Sequence, residues 1–256
     1  MLEIDIKVIS LPSSAERRAA TTENLRTFPL SWTYFDGLTD DDDIGLAYND
    51  EAANVQFGRS LSRAERGCFK SHYTVLKTFA EQNPCDWLIV FEDDLVIDTN
   101  FDFAGLIAQS RSAGIPALRL YCRRWKTAKC IGHFSYRQIM RFKTDPYGIQ
   151  CYIMNRAAAR AIVANIVDIR RPIDDEIGRF WEHGVDIVGV FPFPVLERST
   201  PSTLEESRET TSSQRRRGVG FKARRMWVRS TDKLGKNIYN AVSRLVPGFT
   251  VKRMFG

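Results

Sequence analysis

Trp87-Leu88-Ile89-Val90-Phe91-Glu92-Asp93-Asp94 is the stretch that decides the fold. Five apolar residues run directly into three carboxylates. An apolar run of this length, rich in Ile, Val and aromatics, is a strand buried on both faces. Three neighbouring acids repel one another if buried unpaired. At the carboxyl edge of a sheet, where ligands bind in open α/β folds, they are tolerated. Carboxylates gathered there are hard oxygen ligands, suited to Mg²⁺ or Mn²⁺ bridging a diphosphate. The competing reading is a strand whose acidic turn caps the next helix, and this segment alone leaves both open.

Working outward, residues 4–11 alternate and then run apolar, which predicts a first strand ended by Pro12. Ser13-x-x-Glu16 has the pattern of a capping box and predicts a helix to about Leu25. Residues 31–35 read as a short second strand and residues 36–60 as loop. Ser62-x-x-Glu65 is a second capping box, opening a helix to about Glu81 with Phe69, Tyr73, Leu76 and Phe79 at helical spacing. Beyond the acids, residues 103–112 predict a helix and residues 118–122 a strand. A polar, basic and aromatic region spans residues 123–146, followed by a strand over 148–154. An Ala-rich helix then runs from Arg156 with Asn155 as its cap. Residues 172–183 read as one helix opening with Asp174, Asp175 and Glu176, where the helix dipole favours acids, and residues 185–190 as a last strand. Strands alternating with helices indicate an α/β fold with a Rossmann-type, mainly parallel sheet flanked by helices.

The net charge of +6 conceals an asymmetry. Residues 215–256 hold 12 Lys and Arg against the single acid Asp232, whereas the preceding residues carry a net −5. This divides the chain into a catalytic-type domain over 1–200, a linker over 201–220 and a basic amphipathic helical tail over 221–256. The start of the chain is acidic and alternating, unlike a secretory signal, and no stretch reaches transmembrane length. The five cysteines match no zinc-ribbon or Cys-x-x-Cys spacing and read as reduced thiols of a cytoplasmic protein.

Four segments converge in order and spacing: VISLPSSAERR (8–18), LSRAERGCFKSHYTVLK (61–77), FEDDLVI (91–97), and the pair YGIQCYIMNRAAARAI (147–162) and RPIDDEI (171–177). Together they resemble the bacterial lipooligosaccharide glycosyltransferases of family 25, which also includes the collagen galactosyltransferases. The resemblance covers roughly residues 4–200. It departs from the family at Ala64-Glu65, at Tyr147-Gly148 and at Leu196-Glu197-Arg198. What it implies is a metal-dependent, GT-A-like transferase that most often moves galactose from UDP-galactose. The implied acceptor is a lipid-linked oligosaccharide of lipopolysaccharide type at the cytoplasmic face of the inner membrane.

The residues agree with that implication. Side chains alternate along an extended segment, so Glu92 and Asp94 share one side and Asp93 the other. Asp94 is the first choice for direct contact with Mn²⁺ or Mg²⁺, Glu92 assists through a water or the ribose, and Asp93 serves structure. The backbone of Leu11 and Pro12 is placed to read uracil, and Arg17 or Arg18 to reach base or phosphate. Glu65 and His72 lie two helical turns apart on one face. The resemblance places this Glu and the Ser-His pair in the site, His72 bonding the donor or holding the acidic loop. An inverting transferase needs a general base. By analogy with GT-A enzymes it opens a helix after the metal motif, which makes Asp175 the first candidate and Asp174 the second. Trp125, Trp181, Tyr121 and Tyr147 are candidates for stacking on a sugar, and Arg123, Arg124, Lys126 and Lys129 form a basic loop.

The tail suits an anionic membrane surface, through Trp227, Leu234, Ile238 and Val242 beside Lys233, Lys236 and Arg244. Binding of nucleic acid ranks below this, because a lipid-linked acceptor would be met at the membrane. A magnesium-dependent phosphohydrolase would need a nucleophilic Asp on the first strand, which here ends Ser10-Leu11-Pro12. A non-catalytic adaptor with a transferase-like fold is the remaining alternative.

Overall fold

The computed structural model describes residues 3–198 and 218–242. Its strands are β1 (Ile4–Ser10), β2 (Thr33–Asp36), β3 (Trp87–Glu92), β4 (Leu95–Ile97), β5 (Ala117–Arg119), β6 (Ala128–Phe134), β7 (Arg137–Phe142), β8 (Cys151–Asn155), β9 (Ile187–Phe191) and β10 (Val195–Glu197). The helices are α1 (Ala15–Asn24), α2 (Asp50–Gln56), α3 (Arg63–Glu81), α4 (Phe103–Ser112), α5 (Arg156–Asn165), α6 (Ile173–Ile177), α7 (Phe180–His183) and α8 (Val219–Val242). Eight strands make one sheet of order β2-β1-β3-β8-β5-β9-β7-β6, and β4 pairs with β10 apart from it.

β3 lies near the middle of the sheet because its apolar run can be buried on both sides. Leu88 and Val90 pack under α3 and α5, against Phe69, Leu76, Phe79, Ala158 and Ile162. Ile89 and Phe91 face the opposite layer, with Phe103, Leu106 and Ile107 of α4. Each such buried side chain contributes about 2 kcal/mol. The result is an α/β sandwich with helices on both faces of an open sheet. β1 and β3 run parallel with Ile9 opposite Glu92, so Ser10, Leu11 and the acidic triplet emerge at the same edge. That placement fixes where the site forms.

Within the eight-stranded sheet β2-β1-β3 and β5-β9 pair in parallel, whereas β8, β7 and β6 run antiparallel to their neighbours. The expected parallel character therefore holds around the acidic edge, and the far half of the sheet is mixed. Residues 123–146 contain the β6-β7 hairpin, and residues 36–60 contain α2, which Asn49 caps by accepting from the Ala52 N–H. The Ser13–Glu16 capping box does not form. The N-cap of α1 is Ser14, one residue later, without a side-chain bond to the helix, so Glu16 falls short of the third helical position. At Ser62 the box is complete: Ser62 accepts from the Glu65 N–H and Glu65 accepts from the Ser62 N–H. The single helix expected over 172–183 is two short ones, α6 and α7, separated at Gly178 and Arg179. A Cβ at Gly178 would lie 2.5 Å from the Asp145 side chain, so the close approach there requires glycine.

The C-terminal helix is docked on the body. Arg224 pairs with Glu51 of α2, Asp232 pairs with buried Arg179, and Tyr239 packs against Phe180. Gly235 sits on Trp181, with 2.8 Å between the ring and where a Cβ would stand. Val219, Met226, Trp227 and Leu234 stay exposed on its other side. Most of the expected 201–220 linker, and the tail beyond Val242 with Arg244 and Leu245, lie outside the described residues. Among the described residues, no helix is long and apolar enough to cross a membrane.

Candidate active site

The carboxyl edge of β1 and β3 opens into a cleft of about 420 Å³. One wall is the turn from β1 into α1, with Ser10, Leu11, Ser14 and Arg17; the other is the segment 37–41 and the first turns of α3. Gly67 lets these come together, since a Cβ there would lie 2.8 Å from the Leu38 carbonyl oxygen. The Leu38 N–H donates to Ser71 Oγ at 2.8 Å, and Lys70 donates to the Asp40 and Asp42 carbonyls. The Arg66 guanidinium beside Asp40 holds that carboxyl below the usual carboxylate range.

The acidic triplet forms the floor. Asp93 turns down to β1, accepting from Ser10 Oγ at 2.6 Å and from Arg17 at 3.3 Å. Glu92 lies 3.3 Å from His72 Nε2, and His72 Nδ1 lies 3.2 Å from the Tyr152 hydroxyl. His72 is thus buried between the acid and a phenol and holds Glu92 in place. Asp94 differs from its neighbours: its Oδ1 is buried without a hydrogen-bond partner. Burial, then Glu92, Glu197 and Asp93, push its carboxyl up to about 7. An orphaned buried oxygen among carboxylates fits a divalent cation, and Asp94 and Glu92 are the residues that could hold one.

A second, smaller pocket of about 60 Å³ shares Cys68, Glu92 and Asp94 with the cleft. Its remaining lining includes Glu65, Arg123, Gly148, Gln150 and Asp174. Gly148 lines it from a turn in which Tyr147 and Gly148 have φ of 60° and 89°, and a Cβ at Gly148 would stand 2.8 Å from Gln150 Oε1. Beneath it buried Arg119 bonds the Gly148 carbonyl and pairs with Asp145 at 2.6 Å. Gln150 is itself buried, and its Oε1 lacks a partner.

The structure separates pairs that the sequence left open. Asp174 reaches this pocket, whereas Asp175 faces Arg171 at 3.6 Å and Arg179 at 3.9 Å. Burial pushes the Asp175 carboxyl upward against the pull of those two arginines. Arg17 lines the cleft, whereas Arg18 is spent on the Ser10 carbonyl, Asp36 and the Tyr34 ring. Leu11 lines the cleft and Pro12 sits outside the lining. Glu65 is buried, committed to its helix cap and to both Arg59 nitrogens at 2.6 and 2.7 Å, with one edge on the small pocket. Of the aromatic candidates, Trp181 is buried under α8, Trp125 packs on Phe142 and Phe191, and Tyr121 donates to Glu197.

Glu197, Cys68 and Gln150 were not among the residues that the sequence singled out for the site. Glu197 arrives because β10 pairs with β4, which places it opposite Leu95, and the Arg198 N–H donates to the Asp94 carbonyl at 2.7 Å. A three-residue strand carries no periodic signal that could have announced this.

A family model described as glycosyltransferase family 25 (LPS biosynthesis protein) matches residues 3–177. The chain is similar to the lipooligosaccharide biosynthesis protein lic2B of Haemophilus influenzae, 25% identical over 171 residues that cover 63% of each protein. It is also similar to the lacto-N-neotetraose biosynthesis glycosyltransferase LgtB of Neisseria meningitidis, 31% identical over 90 residues, 35% of this chain and 32% of that one. A third similarity is to procollagen galactosyltransferase 1-A of Xenopus laevis, 28% identical over 38% of this chain and 17% of that protein. The chain thus spans less than two thirds of the length of each of these relatives.

Proposed function

The chain belongs to glycosyltransferase family 25, and we propose that it transfers a hexose, galactose first among candidates, from a UDP-sugar to a lipid-linked oligosaccharide of lipooligosaccharide type. The observation that carries this reading is the position of Asp94: its unpartnered oxygen lies where the large cleft and the small pocket meet. The cleft is of a size for a nucleoside diphosphate, and the small pocket for part of a sugar. Carboxylates at their junction suit Mn²⁺ or Mg²⁺ on Asp94 and Glu92. Such an ion, when bound, supplies Lewis-acid stabilisation of the departing diphosphate.

The chain's own residues do the rest. Leu11 borders the space for the base, and Arg17 stands near enough to meet phosphate. Asp93 ties the acidic turn to β1, and His72 orients Glu92. Gln150 Oε1 and Arg123 offer an acceptor and a donor to sugar hydroxyls. Asp174 takes the proton of the acceptor hydroxyl as its oxygen attacks the anomeric carbon. The new C–O bond forms as the bond to UDP breaks on the opposite face, in a GT-A-like single displacement that inverts an α-linked donor to a β-linkage. Asp175, salt-bridged to two arginines, holds the segment that carries Asp174. The outer side of α8, with Met226, Trp227 and Leu234 among Lys222, Arg229 and Lys233, meets an anionic membrane surface that presents the acceptor.

Thermal stabilisation across a panel of nucleotide sugars, with and without Mn²⁺, tests the reading. A metal-dependent rise with one UDP-sugar, absent in Asp94→Ala, is expected. The absence of any shift with every nucleotide sugar overturns it in favour of a non-catalytic adaptor.

A further inference from the structure

One cluster at the junction of the two pockets brings a thiol that the transfer chemistry does not use, Cys68, up to His72 and Glu92. Cys68 and His72 stand one turn apart on α3, and Glu92 faces them from the end of β3. A sulfur, an imidazole nitrogen and a carboxylate oxygen from these residues all lie within 4.8 Å of one another. Around a tetrahedral zinc ion such donors stand about 3.5 Å apart. The gap is of the order that a rotation of the Cys68 and Glu92 side chains closes, and both are only partly buried. His72 is held already. Its Nε2 is directed at Glu92, and its Nδ1 meets the Tyr152 hydroxyl at 3.2 Å.

The donor chemistry differs from that of Asp94. Mg²⁺ selects oxygen ligands, whereas a thiolate and an imidazole together select zinc and its soft or borderline neighbours. The arrangement also has the outer support that zinc-binding histidines need. A phenol hydroxyl either donates or accepts. Without metal it can donate to Nδ1 while Nε2–H points to Glu92; with metal, Nδ1–H donates to it and the Nε2 lone pair is released. Three protein ligands leave a fourth position facing the pockets.

We propose that Cys68, His72 and Glu92 form a zinc-group cation site, and that filling it withdraws Glu92 from the carboxylate pair at Asp94. Binding forms a metal–sulfur bond and releases the Cys68 thiol proton to solvent; the imidazole and the carboxylate bind without losing a proton. Occupancy makes the site inhibitory, a consequence that rests on the transferase reading. The binding itself does not.

Co²⁺ titrated into the full chain tests the binding. A near-ultraviolet sulfur-to-cobalt charge-transfer band is expected at one equivalent. It is lost in Cys68→Ala and retained in Cys122→Ala and Cys130→Ala. A second measurement uses the unaltered chain, so that it does not depend on the variant folding. Zn²⁺ slows alkylation of Cys68, mapped by mass spectrometry, at least tenfold, and Mg²⁺ at the same concentration does not. No charge-transfer band, a band that survives Cys68→Ala, or alkylation unaffected by zinc each overturns the site. Zinc is also expected to inhibit donor hydrolysis, with at least tenfold more needed in Cys68→Ala; equal sensitivity overturns the inhibitory consequence. If hydrolysis is absent while the band persists, the transferase reading fails and the metal site stands.

Discussion

Two acidic triplets, Glu92-Asp93-Asp94 and Asp174-Asp175-Glu176, line or adjoin the same pockets and are compensated in opposite ways. Around the first, a fourth acid, Glu197, closes in, and the guanidinium paired to the triplet is that of Arg17 on Asp93. Asp94 keeps a buried oxygen without a partner. Around the second, two buried arginines take up the charge: Arg171 bonds Glu176 at 2.9 Å, and Arg179 reaches Asp175, Glu182 and Asp232. A charge surplus that the chain leaves open is a place for a cation from solution. A charge that the chain neutralises itself is a fixed scaffold, able to hold one carboxylate, Asp174, at a set position.

The sharpest way to break the contrast is Asp94→Asn. Transfer should fall about a thousandfold, since the variant loses the ligand at the diphosphate. The metal-free protein should at the same time become more stable, by about 2 kcal/mol at pH 8, because a repelled carboxylate is gone. The sign follows from a carboxyl raised to about 7 in the fold. Its contribution is fully present below the unfolded value of about 4 and is lost as pH rises through 7. Denaturant titrations of the metal-free wild type should show that loss, and the variant should lack it.

The second triplet answers without that gain in stability. Asp174→Asn should cost transfer about a hundredfold or more with stability nearly unchanged. Asp175→Asn should cost transfer less than about tenfold and change stability by less than about 1 kcal/mol, since burial already pushes that carboxyl upward and both arginines keep other acids. Equal kinetic loss in the two variants would collapse the distinction drawn between neighbouring acids.

Acid sharpens the comparison further. Glu182 is pushed up by burial but drawn down by the Arg179 hydrogen bond and charge, to about 2 against an ordinary 4.5. A depressed carboxyl contributes stability that is present above its unfolded value and lost as pH falls through the folded one. Between about pH 4.5 and 2 the fold should lose up to about 3 kcal/mol from this group. Glu182→Gln should flatten that limb in a pH series of denaturation curves. Asp94 and Glu182 thus predict opposite slopes on either side of about pH 4.

What the sequence made legible follows from how local each signal is. β3 announces itself because its burial on both faces is written as one continuous run, and α3 because its capping box occupies four adjacent residues. The β6-β7 hairpin stayed hidden: β6 alternates partly buried positions with exposed ones, and Phe134, Ile139 and Phe142 are buried only because distant segments cover them. α2 was missed although Asn49, Asp50 and Glu51 form a legible helix start. The choice between Asp174 and Asp175, or Arg17 and Arg18, turns on one residue of helical phase, about 100° of direction. Sequence pattern places a helix only to within a few residues, so that choice belongs to tertiary structure. The approach of Glu197 to Asp94 depends on a pairing between segments a hundred residues apart, and nothing local encodes it.

The smallest effect tests whether compensation of the second triplet extends into the C-terminal helix. Arg179 is 3% exposed, and Asp232 of α8 is one of the three acids around it. Asp232→Ala leaves Glu182 and Asp175 in place, so the buried guanidinium keeps partners and the cost should be about 1 kcal/mol. The loss should be local. α8 keeps Tyr239, Gly235, the Arg224–Glu51 pair and the Arg225 and Asn240 hydrogen bonds to backbone carbonyls of the body among its other anchors, and it should become cleavable by protease before the sheet does. Because Arg179 then leans more on Asp175, transfer should drop by no more than about threefold, which is less than 1 kcal/mol. A loss of transfer as large as that of Asp174→Asn would mean that the helix reaches the reacting atoms by a route other than this arginine.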